Sequence, residues 1–233
     1  MISIRVIASS SKGNCYHVYD GHSSLLLECG IAWKKIQVAM KFKTSSLAGV
    51  LVSHSHKDHC HSVREVVQAG IDLYTSKETA EAKGVSGHRV HHVDPGSTFT
   101  VGSWTVKPFE TVHDAPGSLG FLLANTTSEK LLFLTDSAYC RYTFTGLTHM
   151  MLECNFSRAI LDEHVKNGSV NEAMAKRLIQ AHFSLERVIE LLEANDTSKL
   201  QWIYLMHLSD VNSDEAQFKK QIQQITGVPV HVC

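Results

Sequence analysis

Hydrophobic and polar positions alternate over many short segments of the chain, which is the pattern of β-strands with one buried face. Strands are predicted at residues 2–8, 15–19, 25–28, 49–52, 73–75, 89–93, 98–101, 104–109, 121–124, 130–134, 200–206 and 228–232. Turn-type residues at positions 9–14 separate the first two strands. The chain is therefore expected to be rich in sheet throughout.

Helical periodicity fills several of the intervals between the predicted strands. Helices are predicted at residues 32–40, 59–69, 77–83, 169–181, 185–194 and 214–225. Ser169 followed three residues later by Glu172 has the spacing of a capping box, so we expect Ser169 to be an N-cap. Strands and helices alternate without a regular βαβ ladder. This order favours an α/β fold of mixed sheets covered by helices, an αββα sandwich.

Length and composition are those of an ordinary globular protein, with 233 residues, 43% of them hydrophobic and 19% charged. We expect one domain that spans residues 1–233. No apolar run is long enough to cross a bilayer, and residues 1–7 alternate like a strand and lack a signal-peptide pattern. A cytoplasmic protein without a membrane partner is expected.

Cysteine content and charge narrow the classes of function further. The six cysteines include no Cys-x-x-Cys pair, which favours reduced, packed thiols over disulfides. The net charge of −1 shows no overall excess of the basic residues that nucleic-acid binders usually carry, although a local basic patch stays open. The unusual number is 15 histidines, several of them clustered.

The densest cluster is the run from His54 to His59, directly after the apolar strand 49–52. It offers His54, His56, Asp58 and His59 within six residues. Imidazole nitrogen and carboxylate oxygen suit zinc, iron(II) and manganese. Solvated surface histidines with a helix-capping aspartate are the alternative interpretation. Four ligand-type residues at this spacing after a strand favour a metal site, with more groups than one ion needs from one loop.

Three further ligand-type residues each stand at the end of a predicted strand or apolar run. His113 follows strand 104–109, Asp136 ends the run 131–136, and His207 ends the run 202–207. Each residue alone is weak evidence for a metal site, because a lone aspartate after a strand, for example, is usually a turn residue. Together with the first loop they complete two metal spheres, with Asp136 as the carboxylate that bridges the two ions.

The motif His-x-His-x-Asp-His, followed in order by strand-end His, Asp and His, resembles the metallo-β-lactamase superfamily over nearly the whole chain. Within that superfamily the sequence is similar to the YycJ (WalJ) group. The stretches that carry the subgroup likeness are residues 8–15, 113–116, 152–155, 182–184 and 207–212. The resemblance implies an αββα sandwich, two divalent metal ions (zinc or manganese, with iron also suitable) and exonucleolytic hydrolysis of DNA.

The resemblance also implies an allocation of the ligands. The first ion takes His54, His56 and His113; the second takes Asp58, His59 and His207; both share Asp136. A hydroxide that bridges two such ions is a nucleophile at neutral pH. Catalysis is assigned to Asp58, Asp136 and His182, with His182 as the proton donor to the leaving group.

Substrate contacts are assigned with ordinary alternatives beside them. Asn155 is a candidate phosphate contact, and Glu153 a candidate for orienting Asn155 or His182. His182 is equally compatible with a helix cap, and Glu153 with a buried paired carboxylate. Candidates for the mouth of the cleft are Ser10, Ser11, Gly13 and Asn14, because backbone N–H groups in such turns bind phosphate oxygens. A plain hairpin loop explains that segment as well.

The chain departs from the family pattern at several positions. Glu28 stands where an aspartate is usual before the small residue and glycine that follow the third strand, which keeps the charge on a longer side chain. Ser137-Ala138 follow Asp136 where glycine is common, Phe156 replaces a histidine, and Leu185 replaces an asparagine. The last three changes concern the substrate side, so specificity is expected to differ.

Several functions fit these features. A nucleic-acid phosphodiesterase, an exonuclease, is the leading hypothesis. A small cyclic-nucleotide phosphodiesterase is the second, favoured by the near-neutral charge. A metal-binding scaffold without turnover belongs to another class, and a thioester or lactone hydrolase also stays open. A homodimer, the commonest assembly of soluble chains, is the expected oligomer if the chain associates.

Overall fold

The computed structural model describes residues 1–233, which form thirteen strands and eight α-helices. The strands are β1 (Ser3–Ala8), β2 (Cys15–Tyr19), β3 (Ser24–Leu27), β4 (Leu47–Leu51), β5 (Leu73–Thr75), β6 (Val90–His92), β7 (Phe99–Val101), β8 (Trp104–Glu110), β9 (Leu119–Ala124), β10 (Lys130–Leu134), β11 (His149–Glu153), β12 (Trp202–Met206) and β13 (Val230–Val232). The helices are α1 (Trp33–Ala39), α2 (Lys57–Cys60), α3 (Val63–Gln68), α4 (Lys77–Lys83), α5 (Arg158–Lys166), α6 (Glu172–Ala181), α7 (Leu185–Glu193) and α8 (Glu215–Thr226), with a 3-10 turn at Thr44–Ser46.

The strands belong to two mixed β-sheets flanked by helices, which confirms the predicted α/β fold class. One sheet comprises β1 to β6 and the other β7 to β13. The chain divides into two compact units. The first unit is residues 1–110 and 115–129, and the second is residues 111–114 and 130–233. The expectation of a single domain stays a prediction.

In the first unit, β1, β2 and β3 are antiparallel neighbours, whereas β3, β4, β5 and β6 run parallel. Helices occupy each of the connections between these parallel strands. The expectation that no regular βαβ ladder forms is therefore wrong for this stretch, because helix α1 and the pair α2–α3 serve as crossovers between parallel neighbours. The carboxyl ends of parallel strands share one edge of a sheet, so the residues after β3 and β4 lie side by side.

The core of the first unit lies under this edge. Leu26, Val50 and Leu73, one from each of three parallel strands, are fully buried in one cluster with Ile36 of α1 and Val66 of α3. Strands covered on both faces are expected to read as continuous apolar runs, as β4 does. The buried strands provide a rigid base for the polar residues that follow them.

In the second unit, β10, β11, β12 and β13 form a parallel ladder. Every residue of β11 is buried, and α5, α6 and α7 lie in the connection from β11 to β12. The register pairs Leu134 with Leu152 and Glu153 with Met206. The residues that follow these three strand ends therefore meet at one edge.

Three details of the predicted elements are corrected. The helix predicted at 59–69 is two helices, because Ser62 donates its backbone N–H to Cys29 O (3.0 Å) and its hydroxyl to Ile31 O (2.5 Å) in place of continuing the helix. Ser169 is not an N-cap, since its N–H and hydroxyl both bond Asn167 Oδ1. Asn171 caps α6 instead. Strand β11 and helix α5 were not predicted.

No helix of this structure combines the length and the apolar composition that spanning a bilayer requires.

Candidate functional site

The histidine loop leaves β4 with two imidazoles that converge. His54 is almost fully buried, and its Nδ1 lies 2.8 Å from Ser53 Oγ. Its Nε2 lies 3.1 Å from Nδ1 of His56, and the two rings meet edge to face. Ring nitrogens brought together from successive loop positions match the arrangement of ligands to one cation.

Asp58 and His59 form the second half of the loop. His59 is fully buried and its Nε2 lies 3.2 Å from Asp58 Oδ2. The Nδ2 atom of Asn14 lies 3.3 Å from the same ring nitrogen, and Asn14 Oδ1 accepts from the Tyr16 hydroxyl at 3.1 Å. Asn14, assigned from the sequence to the mouth of the cleft, is fully buried against these two residues. Its role as a substrate contact stays a prediction.

Glu28 supports this loop from the end of β3. The carboxylate accepts from the Ser53 N–H at 3.1 Å and lies 3.7 Å from Nδ1 of His59. Burial raises the pKa of the Glu28 carboxyl, an effect that His59 and Ser53 offset only in part. The longer side chain that departs from the family pattern therefore lies beside the ring it is expected to orient, within ion-pair distance but beyond a hydrogen bond.

A close backbone approach locks the end of β3 to the histidine loop. Cys29 N–H donates to His59 O at 2.9 Å, Gly30 N–H to Asn14 O at 2.8 Å, and Asn14 N–H to Asp58 O at 2.7 Å. A Cβ placed on Gly30 would lie 1.6 Å from the Asp58 carbonyl oxygen. Only glycine fits here, so Gly30 sets the distance between this strand end and the loop.

In the second unit, four side chains meet at the strand edge. The ligand-type atoms of Asp136, Glu153, His182 and His207 all lie within 4.8 Å of one another. Asp136, Glu153 and His207 are buried, and the His182 side chain is 18% exposed. Of these, Asp136, His182 and His207 were predicted site residues, and Glu153 was a candidate for orienting its neighbours.

Glu153 contacts two backbone N–H groups and two histidine rings in this group. It accepts from the backbone N–H of Ser137 (3.1 Å) and Phe183 (3.0 Å), and lies 2.5 Å from His182 Nδ1 and 3.4 Å from His207 Nδ1. Burial is the largest single influence and acts to raise the pKa of Glu153, but the charge of His182 and the hydrogen bonds from His182 and His207 together outweigh it, so the pKa is lowered. Burial likewise acts to lower the pKa of His182, and Glu153 raises it. The pair forms a charge-assisted hydrogen bond that fixes the His182 ring.

His113 offers one defined nitrogen. Its Nδ1 lies 2.8 Å from Ala181 O, and because a carbonyl can only accept, Nδ1 carries the proton. Nε2 is then the unprotonated nitrogen, the one with ligand character, and it lies 3.3 Å from Asp114 Oδ1 and 3.7 Å from Asp136 Oδ2. A carbonyl that orients an imidazole in this way is a common feature of metal-binding histidines.

Ser137 is a residue whose role sequence reasoning missed. Its hydroxyl accepts from the Val112 N–H at 2.9 Å and donates to Tyr139 O at 2.8 Å. It thereby anchors the segment that carries His113. The signal was the departure from glycine after Asp136, which shows that a side chain is used at this position.

Three site residues have left-handed backbone conformations although none is glycine. The φ angles are +64° at Glu28, +24° at Asp136 and +54° at His207. Such conformations cost about 1–3 kcal/mol each and persist where the surroundings hold them. Each follows a strand end, so the strained residue turns its carboxylate or ring out of the strand direction toward its neighbours.

The predicted substrate-side residues take different places. Asn155 is buried, and its Nδ2 lies 3.1 Å from His207 Nδ1 and donates to His207 O at 2.9 Å, while Oδ1 has no protein partner. Ser10 is half-buried and its N–H bonds Asn14 Oδ1, and Ser11 is exposed. The assignments of Asn155, Ser10 and Ser11 to substrate contact stay predictions.

A cavity of about 620 Å³ adjoins His182 within the second unit. Its lining includes Tyr139, Phe156, Arg158 and Arg187. The lining also includes the carboxylates Glu186 and Glu190, and Arg187 Nη1 lies 2.5 Å from Glu190 Oε2, so groups of both charges border the cavity beside its aromatic walls. His182 is the residue of the buried group that faces this space.

The donor set of both units fits divalent metal ions. Neutral imidazoles and carboxylates suit zinc, manganese and iron(II), and buried carboxylates such as Asp136 need a compensating positive charge. Loaded with metal, such a set can activate water for attack on a phosphoryl or carbonyl centre.

Comparison with known proteins agrees with this chemistry. Residues 25–207 match the family of the beta-lactamase superfamily domain. The chain is 27% identical over 225 residues to the exodeoxyribonuclease WalJ of Streptococcus pneumoniae, covering 89% of this chain and 82% of that protein. It is 23% identical over 234 residues to the exodeoxyribonuclease YycJ of Bacillus anthracis, covering 94% and 87%. Among solved structures, the metallo-beta-lactamase fold protein YhfI of Bacillus subtilis superimposes with a TM-score of 0.74 at 16% identity, covering 100% of this chain and 97% of that one.

Proposed function

The chain belongs to the beta-lactamase superfamily, and from that premise we propose that it is a metal-dependent phosphodiesterase that degrades DNA from an end. The family was predicted from the histidine motif, and the family match confirms it. The relatives named exodeoxyribonuclease support DNA as the substrate, since each aligns over most of its length. The observation that carries the proposal is the group around Asp136, where His182 stands beside a metal-type carboxylate and faces a cavity.

We assign the metal ligands as the family order implies. His54, His56 and His113 would hold one ion, Asp58, His59 and His207 would hold the other, and Asp136 would be available to both. Within each unit the ring nitrogens and carboxylates of these residues already face one another. Two divalent ions, when bound, supply a hydroxide nucleophile at neutral pH and neutralise the phosphoryl oxygens.

The chain's own residues supply the remaining functions. His182 is placed by Glu153 to give a proton to the leaving oxygen of the DNA sugar, while Nδ1 stays bonded to the carboxylate. Glu153 also contacts His207, so it orients a proposed ligand and a proposed proton donor together. In this proposal the cavity beside His182 receives the terminal nucleotide, with Arg158 near its phosphate and Tyr139 near its base, since both residues line the cavity.

The test is digestion of end-labelled DNA by protein reconstituted with manganese or zinc. Release of labelled mononucleotides from the end is the expected result. A circular substrate without ends should stay intact, which separates exonuclease from endonuclease activity. Intact linear DNA with both metals confirmed bound would overturn the proposal, and turnover of a cyclic mononucleotide in the same preparation would favour the second hypothesis.

Glu153→Gln is expected to lower kcat by about 10- to 100-fold with little change in KM, because the amide cannot orient His182 and His207 as the carboxylate does. Steady-state hydrolysis of DNA measures the effect. Glu193→Gln, an exposed change on α7 of the same unit and outside the lining of the cavity, is the matched control and should leave both constants unchanged. Equal kinetics for the two variants would remove the positioning role of Glu153.

Glu28→Gln is expected to weaken metal binding by about 10- to 100-fold, because His59 loses the carboxylate that faces its Nδ1. Competition with a chelator of known affinity measures the change. Glu28→Asp keeps the charge and should lose less metal affinity, whereas Glu81→Gln on the exposed side of α4 should leave metal affinity unchanged. A Glu28→Gln protein that retains full affinity would contradict the role given to this residue.

A cytoplasmic location and a homodimer remain proposals. Cell fractionation tests the first, and light scattering of the purified protein tests the second.

A further inference from the structure

Helix α1 and the turn after it present an unusual surface, the lysine–aromatic segment (residues 33–43). Its outward side chains are four lysines and two large apolar residues: Lys34, Lys35, Val38, Lys41, Phe42 and Lys43. Phe42 is 70% exposed and Val38 55%. The inward side chains Ile36 and Met40 are buried in the core, so packing of the segment does not depend on the outer face.

Two consecutive residues of this segment have a strained backbone. Lys41 and Phe42 have φ angles of +50° and +58°. A left-handed conformation is a genuine outlier for a bulky residue such as phenylalanine. Backbone bonds hold it there, with Phe42 N–H on Gln37 O at 2.7 Å and Lys41 N–H on Val38 O at 2.9 Å. The turn keeps an aromatic ring in solvent where glycine would be the easier residue.

Positive charge is concentrated here although the whole chain is nearly neutral. Between Glu28 and Asp58 the sequence contains no acidic residue, and Glu28 itself is buried. None of the four lysines takes part in a salt bridge. Arg5, from β1, adds a fifth cation, since its guanidinium donates to Met40 Sδ at 3.3 Å. A strongly anionic partner complements this surface.

We propose that the lysine–aromatic segment binds single-stranded nucleic acid, with its phosphates on the lysines and an unstacked base on Phe42. Cations that follow a backbone, combined with an exposed aromatic ring, are the components of sequence-independent single-strand binding. The proposal adds a second contact region for the DNA that the proposed function degrades, and it rests on that function for the identity of the strand.

Other occupants fit less well. A second copy of the chain placed with this face against itself would oppose four lysines to four lysines, which is repulsive. An anionic lipid surface would be attracted by the charge, but Val38 and Phe42 offer little apolar area for insertion and the helix is seven residues long. A duplex has no free base to stack on Phe42.

The test measures the affinity of metal-loaded protein for a fluorescent phosphorothioate oligothymidylate, which keeps its charge and resists cleavage. The variant with Lys34, Lys35, Lys41 and Lys43 all changed to Gln should bind about tenfold or more weakly at moderate salt. Its plot of log affinity against log salt should flatten by about 3, at about 0.7 per lost phosphate contact. Phe42→Ala should weaken binding by about tenfold with the slope unchanged, because it removes stacking and no charge.

Matched controls separate this surface from general charge effects. Lys219 and Lys220 are an exposed adjacent pair on α8, so K219Q/K220Q should leave affinity and slope unchanged while K34Q/K35Q lowers both. Equal effects of the two pairs would overturn the proposal. All variants should hydrolyse a small chromogenic phosphodiester at the wild-type rate, which shows that they are folded and loaded with metal.

The outcomes for this segment are distinct from those for the proposed function. If the wild-type protein degrades DNA and all segment variants bind the oligonucleotide as tightly as wild type, only the proposal for the lysine–aromatic segment is overturned. Protein that binds the oligonucleotide through the segment but cleaves no DNA overturns the proposed function alone. Loss of binding to phosphatidylserine vesicles in the lysine variants, with oligonucleotide affinity intact, assigns the surface to lipid and overturns the proposal.

Discussion

Asp136→Ala is expected to reduce DNA hydrolysis by about 1000-fold or more, equivalent to about 4 kcal/mol of activation free energy. The carboxylate is buried, lies 3.7 Å from His113 and 3.8 Å from His182, and is the group proposed to be common to both ions. Its removal should release metal as well, so metal content after dialysis is measured beside activity.

The fold is expected to survive this change. Alanine adopts the left-handed conformation less readily than aspartate, but one buried charge disappears, so the melting temperature of the metal-free variant should lie close to that of the metal-free wild type. Asp162→Ala, an exposed aspartate of α5 in the same unit, is the control and should leave activity unchanged. A biological effect that persists in Asp136→Ala protein would instead support the metal-binding scaffold.

Gly30→Ala is expected to be the most damaging small substitution in the chain. The added Cβ would overlap the Asp58 carbonyl, because the ideal Cβ position on Gly30 lies only 1.6 Å from the Asp58 oxygen. The Gly30 Cα and the Asp58 carbonyl both belong to the backbone, so neither can shift easily. We expect a loss of about 4 kcal/mol or more in the free energy of unfolding, together with loss of metal by Asp58 and His59. Urea denaturation measures the first and metal content the second.

Gly70→Ala is the control for this experiment. Gly70 has a φ of +77°, but a methyl group added there would have no neighbour within 4 Å, so only backbone strain of about 1–2 kcal/mol is expected. If the two alanine variants were equally stable, the tight approach of β3 to the histidine loop would not exist in solution.

The candidate metal ligands could be proposed from the sequence because their signal is local and chemical. His54, His56, Asp58 and His59 follow an apolar strand at short spacing, and His113, Asp136 and His207 each end another apolar segment. Several secondary-structure elements also have a strong sequence pattern, which is why β2, β5, β10 and helix α4 were predicted with the observed bounds. The allocation of these seven residues to two ions stays a proposal.

The supporting contacts could not be predicted in the same way. Glu153 was a candidate for orienting Asn155 or His182, but no pattern in the sequence signals its further contacts with positions 137, 183 and 207. Strand β11, which carries it, has no polar alternation because both faces are buried. Ser169 is the reverse case, in which a sequence pattern was present but the predicted structure was not. Its spacing to Glu172 fits a capping box, but its N–H and hydroxyl bond to Asn167 Oδ1 instead. The lysine–aromatic segment was concealed by a net charge summed over the whole chain.

The left-handed residues Glu28, Asp136 and His207 have a consequence for how this protein would evolve. At each of them glycine relieves the backbone and removes the functional group, so stability and activity pull in opposite directions at the same codon. Selection for thermal stability alone would favour a more stable protein that has lost its activity. Retention of the three side chains under such selection is therefore a direct signature that the activity is needed.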